Sequence, residues 1–300
     1  MHTASIREID IERDAEALTA LMRETYPSAV VTVASFVHRL RTVPKRAQLR
    51  QWVTEVDGSV IGRADCSLTL FAEDSGIGQI LVAVRRDQHR RGVGSALYDV
   101  ALEHARLLGV ERLLANFHEN GAGVAFAEAR GFGLVRAETE SELDPRTVAE
   151  RPVGDLRSIA SIDPRLAYVV DMEATHDVPS TEPFEEMPYE EWEDHVLRHP
   201  LFTAEGSFVA FDDGDAAAVS LLIVDHDTGR AANMFTGTRT AYRGRGHALA
   251  VKLASIEWAA RNGVTKMVTY NDATNAPMLA VNGRLGYVPG GRRVEYLKVL

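Results

Sequence analysis

The residues most suited to chemistry lie in one run: Gln88, His89, Arg90, Arg91, Gly92, Val93, Gly94, Ser95, Ala96, Leu97 and Tyr98. Bases beside two closely spaced glycines describe a turn that can hold an anion. Glycines at 92 and 94 remove side chains, so a phosphate can approach the backbone. An apolar, branched segment, Ile80-Leu81-Val82-Ala83-Val84, precedes the turn and reads as a strand. Behind it, Ala96, Leu97, Val100, Ala101 and Leu108 recur at helical spacing, which predicts a helix from near Ser95. A helix that starts at a glycine turn offers unpaired amides and the positive end of its dipole. The combination predicts a diphosphate cradle.

The same pattern recurs. Phe235-Thr236-Gly237-Thr238 leads through Ala241, Tyr242, Arg243, Gly244, Arg245, Gly246, His247 and Ala248 into a second apolar-periodic segment with Leu249, Val251, Leu253, Ile256 and Ala260. Gly92 and Gly246 are 154 positions apart, as are Gly109-Val110 and Gly263-Val264. Asn120 and Asn275, and Gly131-Phe132 and Gly286-Tyr287, match at 155. Several matches in register imply two copies of one domain. We expect domains at 1–144 and 165–300, with a linker at 145–164 where Pro145, Pro152, Gly154 and Pro164 interrupt every pattern. Within that linker, Leu156 to Ile162 reads as a short helix.

Composition fits this division. A chain of 300 residues suits two domains, each with its own core. The formal charge of −10 argues against broad nucleic-acid binding. No run reaches the roughly 18 apolar residues that a spanning helix needs, so no membrane partner is expected. The first residues do not resemble a signal peptide. A lone cysteine, Cys66, fits a reducing compartment, and a cytoplasmic protein is the default expectation. Cys66 reads as core rather than nucleophile. The histidines lack ligand spacing, so no metal is expected.

In chain order, the first copy reads as a strand from Ile6, a helix from about Asp14, a break at Tyr26-Pro27-Ser28 and a second helix at Ser35 to Leu40. A hairpin about Asp57-Gly58 follows, then a turn near Asp74 to Gly76 and the strand ending at Val84. After the cradle helix come a strand at Arg112 to Asn116, a helix at Asn120 to Arg130 and a strand at Leu134 to Glu140. The second copy repeats a hairpin about Asp213-Gly214, its cradle, and a closing strand at Arg293 to Val299. The expected class is α/β of the α+β type, each copy a mixed, mostly antiparallel sheet flanked by helices.

Strand, Arg/Gln-x-x-Gly-x-Gly/Ala, helix, strand and an Asn-led helix ending in Gly-Phe or Gly-Tyr resembles the GNAT superfamily of acyl-CoA N-acyltransferases. The second copy matches in full with Arg243, Gly246 and Ala248. The first has His89 in the Arg/Gln slot, a mild departure because the family grips the diphosphate through backbone amides. The tandem layout is similar to that of double-domain enzymes of the mycothiol synthase type. The resemblance implies acetyl-CoA as co-substrate and a small soluble primary amine as acceptor. The implied donor sites are Val82, Ala83, Val84, His89, Arg90, Arg91, Gly92, Val93, Gly94, Ser95 and Asn120 in the first copy. In the second they are Thr236, Gly237, Thr238, Arg243, Gly244, Arg245, Gly246, His247, Ala248 and Asn275.

Family members often place a carboxylate base six residues before the end of the cradle strand; here Gly78 and Ala232 stand there. They often place a Tyr four residues before the helix-ending Gly; here Ala127 and Asn282 stand there. With both groups absent by position, proton transfer would run through water or through Asn282, Asn271 or Tyr270, which favours the second copy as the catalytic one. The alternative is an acyl-CoA-binding sensor or regulatory protein that does not turn its ligand over. The acid-rich stretch Glu182 to Asp194 would attract a cationic acceptor if it lined the cleft, and would otherwise be a solvated helix face. The pattern leaves the oligomeric state open.

Overall fold

The computed structural model describes residues 5–69, 76–179 and 185–300. Two compact units form, Met1–Ala137 with Arg292–Leu300, and Glu138–Gly291.

The first unit runs β1 (Ser5–Glu8), α1 (Ile11–Thr25), α2 (Val33–Arg41), β2 (Arg50–Val56), β3 (Ser59–Leu68), β4 (Ile77–Val84), α3 (Val93–Leu107), β5 (Arg112–His118) and α4 (Gly121–Glu128), then the start of β6 (Gly133–Leu143). Strands β1 to β4 pair antiparallel in sequence, and β4 pairs parallel with β5. Local chemistry sets the helix ends. Asp10 caps α1 by accepting from the amides of Glu12 and Arg13, and Thr32 and Ser35 form a reciprocal capping box on α2. Helix α3 buries Leu97, Ala101 and Ala105, one per turn, against a core that includes Cys66, Ile80 and Leu113. Leu18, Val31, Phe36 and Val53 form a second core under α1 and α2.

The second unit runs β7 (Asp155–Ser158), α5 (Pro164–Thr175), α6 (Tyr189–Trp192), β8 (Phe208–Asp212), β9 (Asp215–Asp225), β10 (Arg230–Thr238), α7 (His247–Arg261), β11 (Lys266–Asp272) and α8 (Ala276–Leu285), then the start of β12 (Val288–Val299). Strands β7 to β10 pair antiparallel, and β10 pairs parallel with β11. The stretch 145–164 contains β7, and Leu156 to Ile162 is not a helix. Pairing of Asp155–Ser158 with Phe208–Phe211 outweighs a helix this short, and Ile159–Ser161 turns the chain in a single 3-10 turn.

Each sheet is closed by a strand from the far end of the other repeat. Arg293–Val299 of β12 pairs antiparallel with β5 and places Val294 and Tyr296 in the first unit's core. Glu138–Leu143 of β6 pairs antiparallel with β11 and places Leu143 in a core of the second unit.

The acid-rich stretch lies partly outside the described residues. Of the rest, Trp192 is buried and donates its indole N–H to Asp171 at 2.7 Å. Glu193 and Asp194 bind Arg198, and Glu186 lies 3.2 Å from His176. Cys66 is fully buried, and burial pushes its thiol up to about 12, which makes it inert as a nucleophile.

Candidate active site

Both cradles form as strand, 3-10 turn and helix. Helix α3 begins after Gly92 (φ 82°) and α7 after Gly246 (φ 86°), both left-handed, and no side chain caps either helix. A Cβ at either glycine would meet no atom within 4 Å, so the approach to the first amides is open. Arg90 takes the same left-handed turn (φ 62°) that Gly244 takes in the second copy (φ 76°). Such a conformation costs a non-glycine residue on the order of 1 kcal/mol and is concentrated at functional sites. Uncapped amides beside bases fit a diphosphate.

The copies differ in what surrounds those turns. In the first, β4 and β5 pair only over Ile77–Ile80 and Arg112–Ala115. Beyond that point a cavity of about 860 Å³ opens, lined by Val82, Ala83, Val84, Asn116, Phe117 and His118. Gly92, Gly94, Ser95, Arg86, Arg90 and Arg130 line its cradle end, and Glu24, Tyr26 and Pro27 also contribute. Arg90 and Arg91 make no ion pair among the described residues, and His89 Nε2 lies 3.0 Å from the Val84 carbonyl. Arg130 donates to Ser95 Oγ at 2.8 Å and stacks 3.5 Å from the Phe126 ring centroid.

In the second copy the bases are neutralised from within. Arg239 binds Glu173 at 2.6 Å, Arg243 binds Asp177, and Arg245 and His247 converge on Asp212 at 2.7 and 2.9 Å. His247 and then Arg245 hold the Asp212 carboxyl below its ordinary range. Thr236 and Thr238, the counterparts of Val82 and Val84, bury hydroxyls that have no hydrogen-bond partner among the described residues. Strand β10 carries a register shift between Asn233 and Phe235, whereas β4 pairs with β3 without interruption.

The sequence-derived candidates separate accordingly. Asn120 and Asn275 sit at the N-termini of α4 and α8, where their side chains accept from Gly123 and Met278 amides at 2.8 and 3.3 Å. Asn282 and Asn271 do come together, Asn282 Nδ2 donating to Asn271 Oδ1 at 2.5 Å. Asn282 is only 3% exposed, and its Oδ1 is buried without a hydrogen-bond partner among the described residues. Tyr270 sits beside them on β11, paired with Glu140 of β6. At the expected base slot, a Cβ on Gly78 would stand 2.8 Å from Val110 Cγ2, so packing leaves that position no room for a carboxylate.

Tyr98 belongs to the cradle run without a role of its own there, and Lys298 is not singled out by any sequence pattern. Tyr98 lines the first cavity, and its hydroxyl accepts from Lys298 Nζ at 3.0 Å. Lys298 arrives on the closing strand, 200 residues away, so no local spacing could have paired them. Tyr98 itself stands little more than one turn into the cradle helix, a phenol that local sequence places beside the turn.

The acetyltransferase (GNAT) family matches the chain twice, over residues 15–132 and 169–287. The chain belongs to the GNAT family. It is an acyltransferase with two GNAT copies in tandem. Among solved structures, a tandem GNAT protein from the clavulanic acid biosynthesis pathway is similar at 22% identity and a TM-score of 0.76, covering 99% of this chain and 98% of that one. A GCN5-related N-acetyltransferase from Sphaerobacter thermophilus is 19% identical, with a TM-score of 0.71 and coverage of 99% and 95%. Saccharomyces cerevisiae N-myristoyltransferase with bound myristoyl-CoA shares the fold at 12% identity and a TM-score of 0.67, covering 99% of this chain and 78% of that one. Comparison with curated proteins finds no match.

Proposed function

We propose that this GNAT protein transfers an acetyl group from acetyl-CoA to a primary amine of a small soluble acceptor, and that the first copy holds the donor. The observation that carries this reading is the open cleft between β4 and β5, which combines an uncapped helix N-terminus with Arg90 and Arg91, which make no ion pair among the described residues. Bound acetyl-CoA would supply the activated thioester. The chain's own residues do the rest. Gly92, Gly94 and the start of α3 receive the diphosphate. Beyond Ile80 the β5-facing edge of β4 has no strand partner, which leaves backbone donors for a carbonyl oxygen. Holding amine and thioester in contact supplies much of the rate. As the amine nitrogen bonds to the carbonyl carbon it gives up a proton to water, the C–S bond breaks, and the leaving thiolate takes up a proton. We assign that donation to the Tyr98 hydroxyl, with Lys298 as its neighbour.

A specific observation favours the second copy instead. The orphaned hydroxyls of Thr236 and Thr238 and the orphaned Asn282 Oδ1 are groups that a ligand could satisfy. Against this, the bases of the second cradle are already paired. A cytoplasmic location belongs to the same reading, supported by the single buried cysteine. No described helix is long and apolar enough to cross a membrane.

Thiol release in the presence of an amine panel tests the assignment, with acetyl-CoA and myristoyl-CoA as alternative donors. Gly92→Glu should abolish release from acetyl-CoA, and Gly246→Glu should leave most of it. The reverse pattern would move the chemistry to the second copy, and release only from myristoyl-CoA would change the donor.

A further inference from the structure

Beside the donor cleft the first unit contains a guanidinium that the fold leaves incomplete. Arg63 on β3 is 6% exposed. Its Nη2 donates to Asp65 at 2.7 Å, while Nη1 is buried with no hydrogen-bond partner among the described residues. A buried donor of a charged group left unpaired costs about 1–3 kcal/mol or more, so an open position of this kind is retained at a cost. Arg39 lies nearby. Both guanidinium carbons fall within 5.6 Å of the Phe36 ring centroid, one at 5.6 and the other at 5.4 Å. Arg39 is exposed, its one hydrogen bond among the described residues goes to Met22 Sδ at 3.7 Å, and it makes no ion pair among them. Asp65 is the carboxylate bound to Arg63, and its charge also acts on Arg39.

The cluster borders the cleft. Arg63 pairs directly across the strand with Ala83, which lines the cavity. Tyr26 lines the cavity as well, and the charges of Arg63, Arg293 and Arg39 act on its phenol, which burial pushes up to about 12. The cluster sits on the sheet face covered by α1 and α2, since the neighbouring Gly62 faces Leu97 and Val93 of α3.

Resting on the reading that the first copy is the transfer site, we propose that the acceptor carries a carboxylate as well as its amine. Arg63 Nη1 and the Arg39 guanidinium bind the carboxylate and hold the amine toward the thioester. A planar monoanion matches the donors of a guanidinium edge. A phosphate dianion would meet the Asp65 carboxylate with twice the charge, which makes carboxylate the better fit.

Binding is tested apart from turnover by following thermal unfolding of the full chain with a panel of N-acetyl amino acids, the matching N-acetyl amino acid amides, and inorganic phosphate. At least one free acid should raise the midpoint while its amide does not, and the shift should disappear in Arg39→Gln, which alters an exposed side chain, and in Arg63→Gln. An absence of any acid-specific shift, a shift that persists in Arg39→Gln, or equal stabilisation by phosphate would overturn the proposal. Failure of the transfer reading is seen separately. In that case acid-specific stabilisation would persist in a protein that releases no thiol from acetyl-CoA.

Discussion

Position 98 holds a tyrosine and position 252, 154 residues on, a lysine, and the exchange marks how the copies have diverged. Tyr98 lines the open cleft and accepts from Lys298. Lys252 is 1% exposed and lies 5.0 Å from the Tyr287 ring centroid. At Lys298's register position the second copy has the apolar Leu143, because Lys298 pairs with Leu113 and Leu143 with Met267. If Tyr98 delivers a proton, Tyr98→Phe should lower kcat by about 10²-fold and leave the KM for acetyl-CoA nearly unchanged. An equal loss in kcat/KM and donor affinity would show instead that the ring only shapes the cleft. For Lys252, burial lowers its pKa from 10.5 to about 7. The unfolded chain then binds more protons between pH 7 and 10.5, so this group makes stability rise with pH across that window. Lys252→Met should therefore raise the unfolding midpoint at pH 7 by several degrees, with an upper bound of about 4 kcal/mol. The advantage should shrink toward pH 10, and thermal melts at the two pH values check both points.

Among the elements, the cradle helices and their strands are legible because local rules define them. Glycine at the left-handed N-cap, one buried residue per turn in α3 and a branched β4 need no knowledge of distant contacts. The closing strands are different. The pattern of Arg293 to Val299 identifies a strand, but nothing in it names β5 as its partner, since pairing is a property of two segments far apart in the chain. The same holds for the second cradle's charge. Its bases read as free in a run of residues, yet Glu173, Asp177 and Asp212 reach them from α5, the turn after it and β8. Strand closure has its own consequence. Residues Arg292–Leu300 complete the first unit and bury Val294 and Tyr296, which by area removed from water should contribute roughly 1.5–3 kcal/mol each. Deleting 292–300 should destabilise the first unit more than the second, and a peptide of those residues added in trans should restore part of the loss. Equal exposure of both units, read by amide exchange, would contradict this.

For the molecule as a whole, duplication supplied two anion turns on a chain of net charge −10, and the two turns have gone different ways. One keeps Arg90 and Arg91 without an ion pair among the described residues beside an open cleft, and the other ties Arg239, Arg243 and Arg245 to carboxylates while burying hydroxyls with no partner among those residues. The repeat spacing exposed the duplication, and the family match over residues 15–132 and 169–287 agrees with it. The long-range ion pairs that set the two turns apart are not encoded in that spacing. Calorimetric titration of acetyl-CoA into wild type, Gly92→Glu and Gly246→Glu tests that division most directly. We predict one site in the wild type, lost in Gly92→Glu and kept in Gly246→Glu. Loss only in Gly246→Glu would contradict the account and place the donor in the second copy.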